Sequence, residues 1–252
     1  MNRGRILRIT GWVLGILLLL ALLSAGGFVV WARDASQPTP AALDALASDD
    51  TVNVEQAANW IAFQPTDEPA DIGYIFYPGG KVTAEAYAPY ARAIAQAGYP
   101  TYIVRPTLNL AIFEIDAAAA VIDAYPEVSQ WVVGGHSLGG SAAAFYTDGN
   151  PSQVSGLVLL ASYSTVNLTD DGLPVAVIYG SADGLATPED VESRSDLLPS
   201  GAQYTLIEGG NHAQFGDYGP QNGDGEATIT RAEQQAQTVA ATLDLLELTV
   251  GE

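Results

Sequence analysis

From Ile72 onward the chain alternates short apolar runs with stretches of helical period, and this alternation restricts its architecture more than any other feature. The runs 72–77, 101–104, 131–133, 154–161, 175–179 and 204–207 read as strands, most of them without the polar alternation of a half-exposed sheet. Between them lie 84–97, 110–124, an alanine-rich stretch after Gly140 and 188–198, all helical in pattern, and 228–246 closes the chain as an amphipathic helix. Strands separated by helices imply an α/β fold with a mostly parallel sheet covered on both faces. Ahead of them, 51–56 and 59–64 read as a hairpin.

The run 131–133 leads into Gly135-His136-Ser137-Leu138-Gly139, a G-x-S-x-G sequence at a strand-to-helix junction. A serine there is forced onto a tight turn with its hydroxyl above the sheet edge and a helix N-terminus aimed at the same spot. Outside that context the pentapeptide is a common packing turn.

A serine hydroxyl is a weak nucleophile at neutral pH and needs a base held in one tautomer by a third group. The chain has two histidines. His136 lies inside the turn, where its side chain points away and is expected to pack. His212 follows the last strand, whose end should share the sheet edge with the serine. An isolated loop histidine is by itself more often a surface residue. Asp183, just beyond 175–179, is the expected acid and completes the chain order Ser, Asp, His; Glu208, Asp170 and Asp171 are its rivals. The oxyanion donors are expected at the amides of Leu138 and Gly80, the latter in Gly79-Gly80-Lys81 after the strand 72–77.

These motifs resemble the alpha/beta-hydrolase superfamily, within it the fold-5 group: Phe76-Tyr77-Pro78-Gly79-Gly80, Gly134 to Gly140, Tyr179-Gly180-Ser181-Ala182-Asp183-Gly184 and Gly209-Gly210-Asn211-His212, in that order, from about Thr51 to the C-terminus. The resemblance implies an alpha/beta-hydrolase fold and a serine hydrolase core with Ser137 as nucleophile, Asp183 as acid and His212 as base. It implies an enzyme that needs no cofactor or metal and acts on a small-molecule acyl substrate; a non-catalytic scaffold or an acyltransferase is the alternative. Relatives with a lid insert it where only 162–174 stands here. The site is therefore expected to be open and suited to small or partly exposed acyl groups.

Two weaker features carry alternatives. Lys81 and Arg105, just past strand ends, are candidates for holding an anionic part of the substrate, or else pair with neighbours such as Glu85 or Glu114. Asp217, Asn222, Asp224 and Glu226 lack the spacing of a calcium loop and read as a polar loop.

The N-terminus sets location. Residues 9–31 are almost uninterrupted Leu, Ile, Val, Ala, Gly and Trp, enough for a membrane-crossing helix and longer than the apolar part of a cleaved signal peptide. Arg3, Arg5 and Arg8 precede it and only Arg33 follows at once, which predicts a cytoplasmic N-terminus and an exported domain. The expected organisation is a basic N-terminus at 1–8, a signal anchor at 9–31, a stalk at 32–50 and a hydrolase domain at 51–252. Every acid lies after the anchor and the net charge is −20, which argues against nucleic-acid partners. With no cysteine, the exported domain relies on its core alone.

Overall fold

The computed structural model describes residues 3–169 and 172–250, so Asp170 and Asp171 lie outside the described residues. The chain starts with helix α1 (Arg3–Arg33) and a short α2 (Pro40–Asp44), whose N-cap Thr39 accepts a hydrogen bond from the Ala42 amide. Strands β1 (Val52–Gln56) and β2 (Trp60–Pro65) form the expected antiparallel hairpin.

From β3 (Ile72–Tyr77) the pattern is α/β. Helix α3 (Ala88–Gln96), β4 (Thr101–Val104), α4 (Ala117–Ala124), β5 (Gln130–His136), α5 (Leu138–Gly149), β6 (Gly156–Leu160), β7 (Val175–Gly180), α6 (Pro188–Glu192), β8 (Gln203–Ile207) and α7 (Arg231–Val250) follow. One sheet holds all eight strands in the order β1-β2-β4-β3-β5-β6-β7-β8. It is parallel from β4 to β8 and antiparallel at the hairpin edge.

Side-chain alternation along each strand divides the core in two. In β3, Ile72, Tyr74 and Phe76 join a cluster with Ile94 of α3 and Leu245 and Leu246 of α7, while Ile75 and Tyr77 face Val121, Ala142 and Ala143 of α4 and α5. Both sides of the central strands are therefore dry, which explains their continuous apolar runs.

Three helices differ from the sequence pattern, and the stretch 188–198 among them is divided into α6 and a 3-10 turn, Ser195–Leu197. The stretch 84–97 opens as a 3-10 turn, Ala84–Tyr87, before α3. The stretch 110–124 is split into a 3-10 turn, Ala111–Phe113, and α4. The buried Tyr77 hydroxyl donates to the Ile115 carbonyl and accepts from the Ala118 amide, and Glu114 caps the Thr107 amide at 2.7 Å. These partners hold the linking residues in a turn, with Glu114 at φ −150°, ψ 50° and Asp116 at φ −78°, ψ 10°.

The segment 32–50 is not a free tether. Ala32, Ala35 and Ala42 are buried. The Ser36 amide donates to the Lys81 carbonyl at 2.7 Å, and the Thr39 amide to the Asp217 carbonyl at 2.9 Å.

The strand order reverses direction around β3. The chain runs from β3 out to β4, then returns to place β5 on the other side of β3. The loops after β3 and β5 diverge there, and such a point opens the crevice in which α/β sheets bind ligands.

Candidate active site

Ser137 sits at the exit of β5 with φ 52° and ψ −122°, backbone that a non-glycine residue adopts only under constraint. The constraint is visible. Its amide donates to the Leu160 carbonyl at 2.9 Å, and its carbonyl accepts from Ser162 Oγ at 2.8 Å and from the Gly140 amide at 3.0 Å. The flanking glycines are needed for contact: a Cβ on Gly135 would run into the Gly139 backbone, and one on Gly139 into the Tyr77 and Pro78 carbonyls. The strain at Ser137 is thus imposed by close approach of β5, α5 and the end of β3.

His212 lies in the loop after β8 and is 1% exposed; Asp183, after β7, is 4% exposed. His212 Nδ1 donates to Asp183 Oδ2 at 2.8 Å. The other oxygen, Asp183 Oδ1, accepts the amides of Leu185 and Ala186, each at 2.8 Å, so the carboxylate is fixed from both ends. Glu208 is exposed. Among the described residues no hydrogen bond joins Ser137 Oγ to His212, a bond that in serine hydrolases often tightens only with the acyl group in place.

His136 shows how close these parts are. Its ring centroid is 4.5 Å from that of His212 and 5.8 Å from that of Phe215. Tyr87 Oη accepts the Gly79 amide at 3.0 Å and lies 2.8 Å from His136 Nδ1. Burial pushes the Tyr87 pKa well up, so this hydroxyl keeps its proton and donates it to Nδ1, leaving the histidine proton on Nε2. His136 is thus tied to the Gly79 loop through Nδ1 and Tyr87, and meets the His212 loop by ring contact, its buried Nε2 having no hydrogen-bond partner among the described residues.

Burial, and next the neighbouring His212 imidazole, hold the His136 pKa well below the usual 6.5. The unfolded chain takes up this proton near 6.5 and the folded chain does not, so stability is complete above that pH and falls as pH drops below it. The expected slope is about 1.4 kcal/mol per pH unit. Urea denaturation of wild type and His136→Gln between pH 5 and 7 checks this, and the variant should lack that component.

Gly80 and Leu138 are adjacent: a Cβ on Gly80 would lie 3.0 Å from Leu138 Cδ2. Leu138 is the first residue of α5, so its amide has no partner within the helix. Among the described residues neither the Gly80 nor the Leu138 amide has a hydrogen-bond partner.

The two cations have partners within the chain. Arg105 pairs with Glu85 at 2.7 Å and donates to Gln56 at 3.1 Å. Lys81 Nζ stands 4.5 Å above the Trp31 ring, a partner that inspection of charge alone does not bring up.

Asp224, which the sequence places only in a polar loop, accepts backbone amides from two neighbouring loops. Its Oδ1 accepts the amides of Gly184 at 3.2 Å and His212 at 3.1 Å, and its Oδ2 accepts that of Ala213 at 2.8 Å. It binds the loop of the acid to the loop of the base. Asp217, in the same polar loop, accepts from Thr39 Oγ1 at 2.8 Å and from Arg231 at 3.0 Å. An aspartate embedded among glycines, Gly223-Asp224-Gly225, was the available signal, since backbone amides crowd where side chains are missing. Asp224→Ala should lower stability by about 2 kcal/mol and kcat by about tenfold through a displaced base, with KM little changed. Melting and steady-state kinetics check both.

A cavity of about 640 Å³ lined by Pro174, Pro199 and Leu248 lies at the opposite edge, where β7 and β8 begin, away from these groups.

Against known proteins, the model of the alpha/beta hydrolase family matches residues 73–236. No curated protein matches by sequence. Among solved structures the chain is similar to Est1E from Butyrivibrio proteoclasticus, at 12% identity and a TM-score of 0.58 over 80% of this chain and 100% of that one. It is also similar to the carboxylesterase CesB from Bacillus subtilis, at 13% identity and a TM-score of 0.58 over 88% and 98%. A CIB-like hydrolase from Thermoplasma acidophilum aligns at 18% identity and a TM-score of 0.55 over 78% and 98%. At such identities the likeness is one of fold.

Proposed function

The chain belongs to the alpha/beta hydrolase family, and on that premise we propose that it is a serine hydrolase cleaving carboxylic esters or related acyl substrates, anchored to a membrane by α1. In this reading His212 Nε2 takes the Ser137 proton as Oγ attacks the acyl carbonyl, and Asp183 stabilises the imidazolium so formed. The amides of Gly80 and Leu138 hold the developing oxyanion. Collapse breaks the bond to the alcohol, which leaves with the proton from His212, and a water activated by the same imidazole releases the acid from the acyl-enzyme.

The observation that carries the reading is the constrained Ser137 backbone beside the buried Asp183–His212 pair, at the one sheet edge where the loops diverge. Lys81 and Arg105, candidates for holding an anionic part of the substrate, are occupied by Trp31 and Glu85, which favours their structural reading. Helix α1 supports the anchor: Gly11–Arg33 has a mean hydropathy of 2.7 and none of its window is buried. By the distribution of arginines the N-terminus is cytoplasmic and residues 51–252 form the exported domain.

The test is a fluorophosphonate probe followed by peptide mass analysis, beside an ester panel graded by acyl length. Labelling of Ser137 and a preference for short acyl groups are expected. A folded chain that neither labels nor turns over any ester is a scaffold instead.

A further inference from the structure

We propose that the catalytic edge of the domain rests on the bilayer, pinned there by the end of α1, and that Ser137 takes amphipathic esters whose tails stay dissolved in the leaflet. This rests on the reading of α1 as a membrane anchor and of the site as a hydrolase.

Two observations place the edge. Phe28 of α1 meets Phe113 edge to face, with ring centroids 6.0 Å apart at 89°. Phe28 stands five residues before Arg33, where the apolar window ends, which is about 7.5 Å along a helix axis. A side chain touching Phe28 therefore lies below the level at which the span ends, within the boundary between headgroups and acyl chains. Phe113 is 54% exposed and its neighbour Ile112 45%, on a turn that packs against α5, the helix that begins after Ser137. Exposed aromatic and aliphatic side chains at that depth are solvated by lipid rather than water.

The junction also has no slack. Three residues past Arg33, the Ser36 amide is bonded to Lys81, whose ammonium covers Trp31. Lys81 directly follows Gly80. A domain fastened so close to its span, through the loop that supplies an oxyanion amide, does not swing away from the surface. The open site then needs no lid to bury a tail, because the leaflet keeps it. The substrate class is a short acyl group on a long-chain alcohol, with its carbonyl at headgroup level.

The full chain in phosphatidylcholine nanodiscs tests this. The protein has no cysteine, so Phe113→Cys and, at the opposite edge, Leu248→Cys each give one labelling site. A fluorophore at position 113 should be quenched by shallow nitroxide lipids at least about threefold more than one at 248. For catalysis, Phe113→Asp with Ile112→Asp should lower kcat/KM for hexadecyl acetate in the disc by about tenfold, and that for 4-nitrophenyl acetate in water by less than about twofold. Equal quenching at the two positions, or equal change for the two esters, overturns the docking. Release of the chain from liposomes by alkaline carbonate overturns the anchor itself. If neither ester is hydrolysed by wild type, the hydrolase reading falls and with it the substrate class, while quenching still decides the docking.

Discussion

Ser137→Ala is expected to reduce kcat/KM for every ester by about 10⁴ to 10⁶ and to abolish fluorophosphonate labelling, with the fold intact. The hydroxyl is the group that forms the acyl bond, and neither the free amides nor the Asp183–His212 pair can replace it. Ser137→Gly should be equally inactive yet more stable by about 1 kcal/mol, because glycine takes φ 52° without the clash a Cβ brings. Denaturant midpoints of the two variants measure that difference. An active Ser137→Ala protein would remove the nucleophile from the proposal, and an unstable Ser137→Gly would show that the turn is not strained by its side chain.

Asp183→Asn should cost about 10³ to 10⁴ in kcat while leaving KM nearly unchanged. Asn can still offer its carbonyl oxygen to the Leu185 and Ala186 amides, which fixes its NH₂ towards His212 Nδ1. Facing a donor, Nδ1 becomes an acceptor and the ring proton moves to Nε2, the atom that must receive the serine proton. The geometry survives and the tautomer is wrong. Glu208→Gln, at an exposed position, should change kcat by less than about twofold; steady-state kinetics on one soluble ester compares the two variants.

How much of this was legible in the chain varies from element to element. Strands β3, β4, β6 and β7 were, because a strand buried on both faces shows its whole length as apolar sequence, β1 was by its alternation at the hairpin edge, and the glycines of the serine turn mark forced approach. The break between Phe113 and Ala117 was not. It is imposed by the Tyr77 hydroxyl, from a strand remote in sequence, and alanine-rich residues show no local sign of it. At the candidate site, the Asp183–His212 pairing was legible from the places of the two residues after β7 and β8. Asp224 was hidden because its work is done on backbone amides, which have no residue identity to read. The same holds for the segment after α1, whose composition resembles a tether but whose amides find partners at Lys81 and Asp217.

Those two attachments have a mechanical side. Ser36 joins the strip next to Gly80, one of the proposed oxyanion donors, and Thr39 joins the loop that continues from His212. Tension travelling down α1 thus enters the domain through both rims of the crevice, and the stiff sheet beneath them is the last part to feel it.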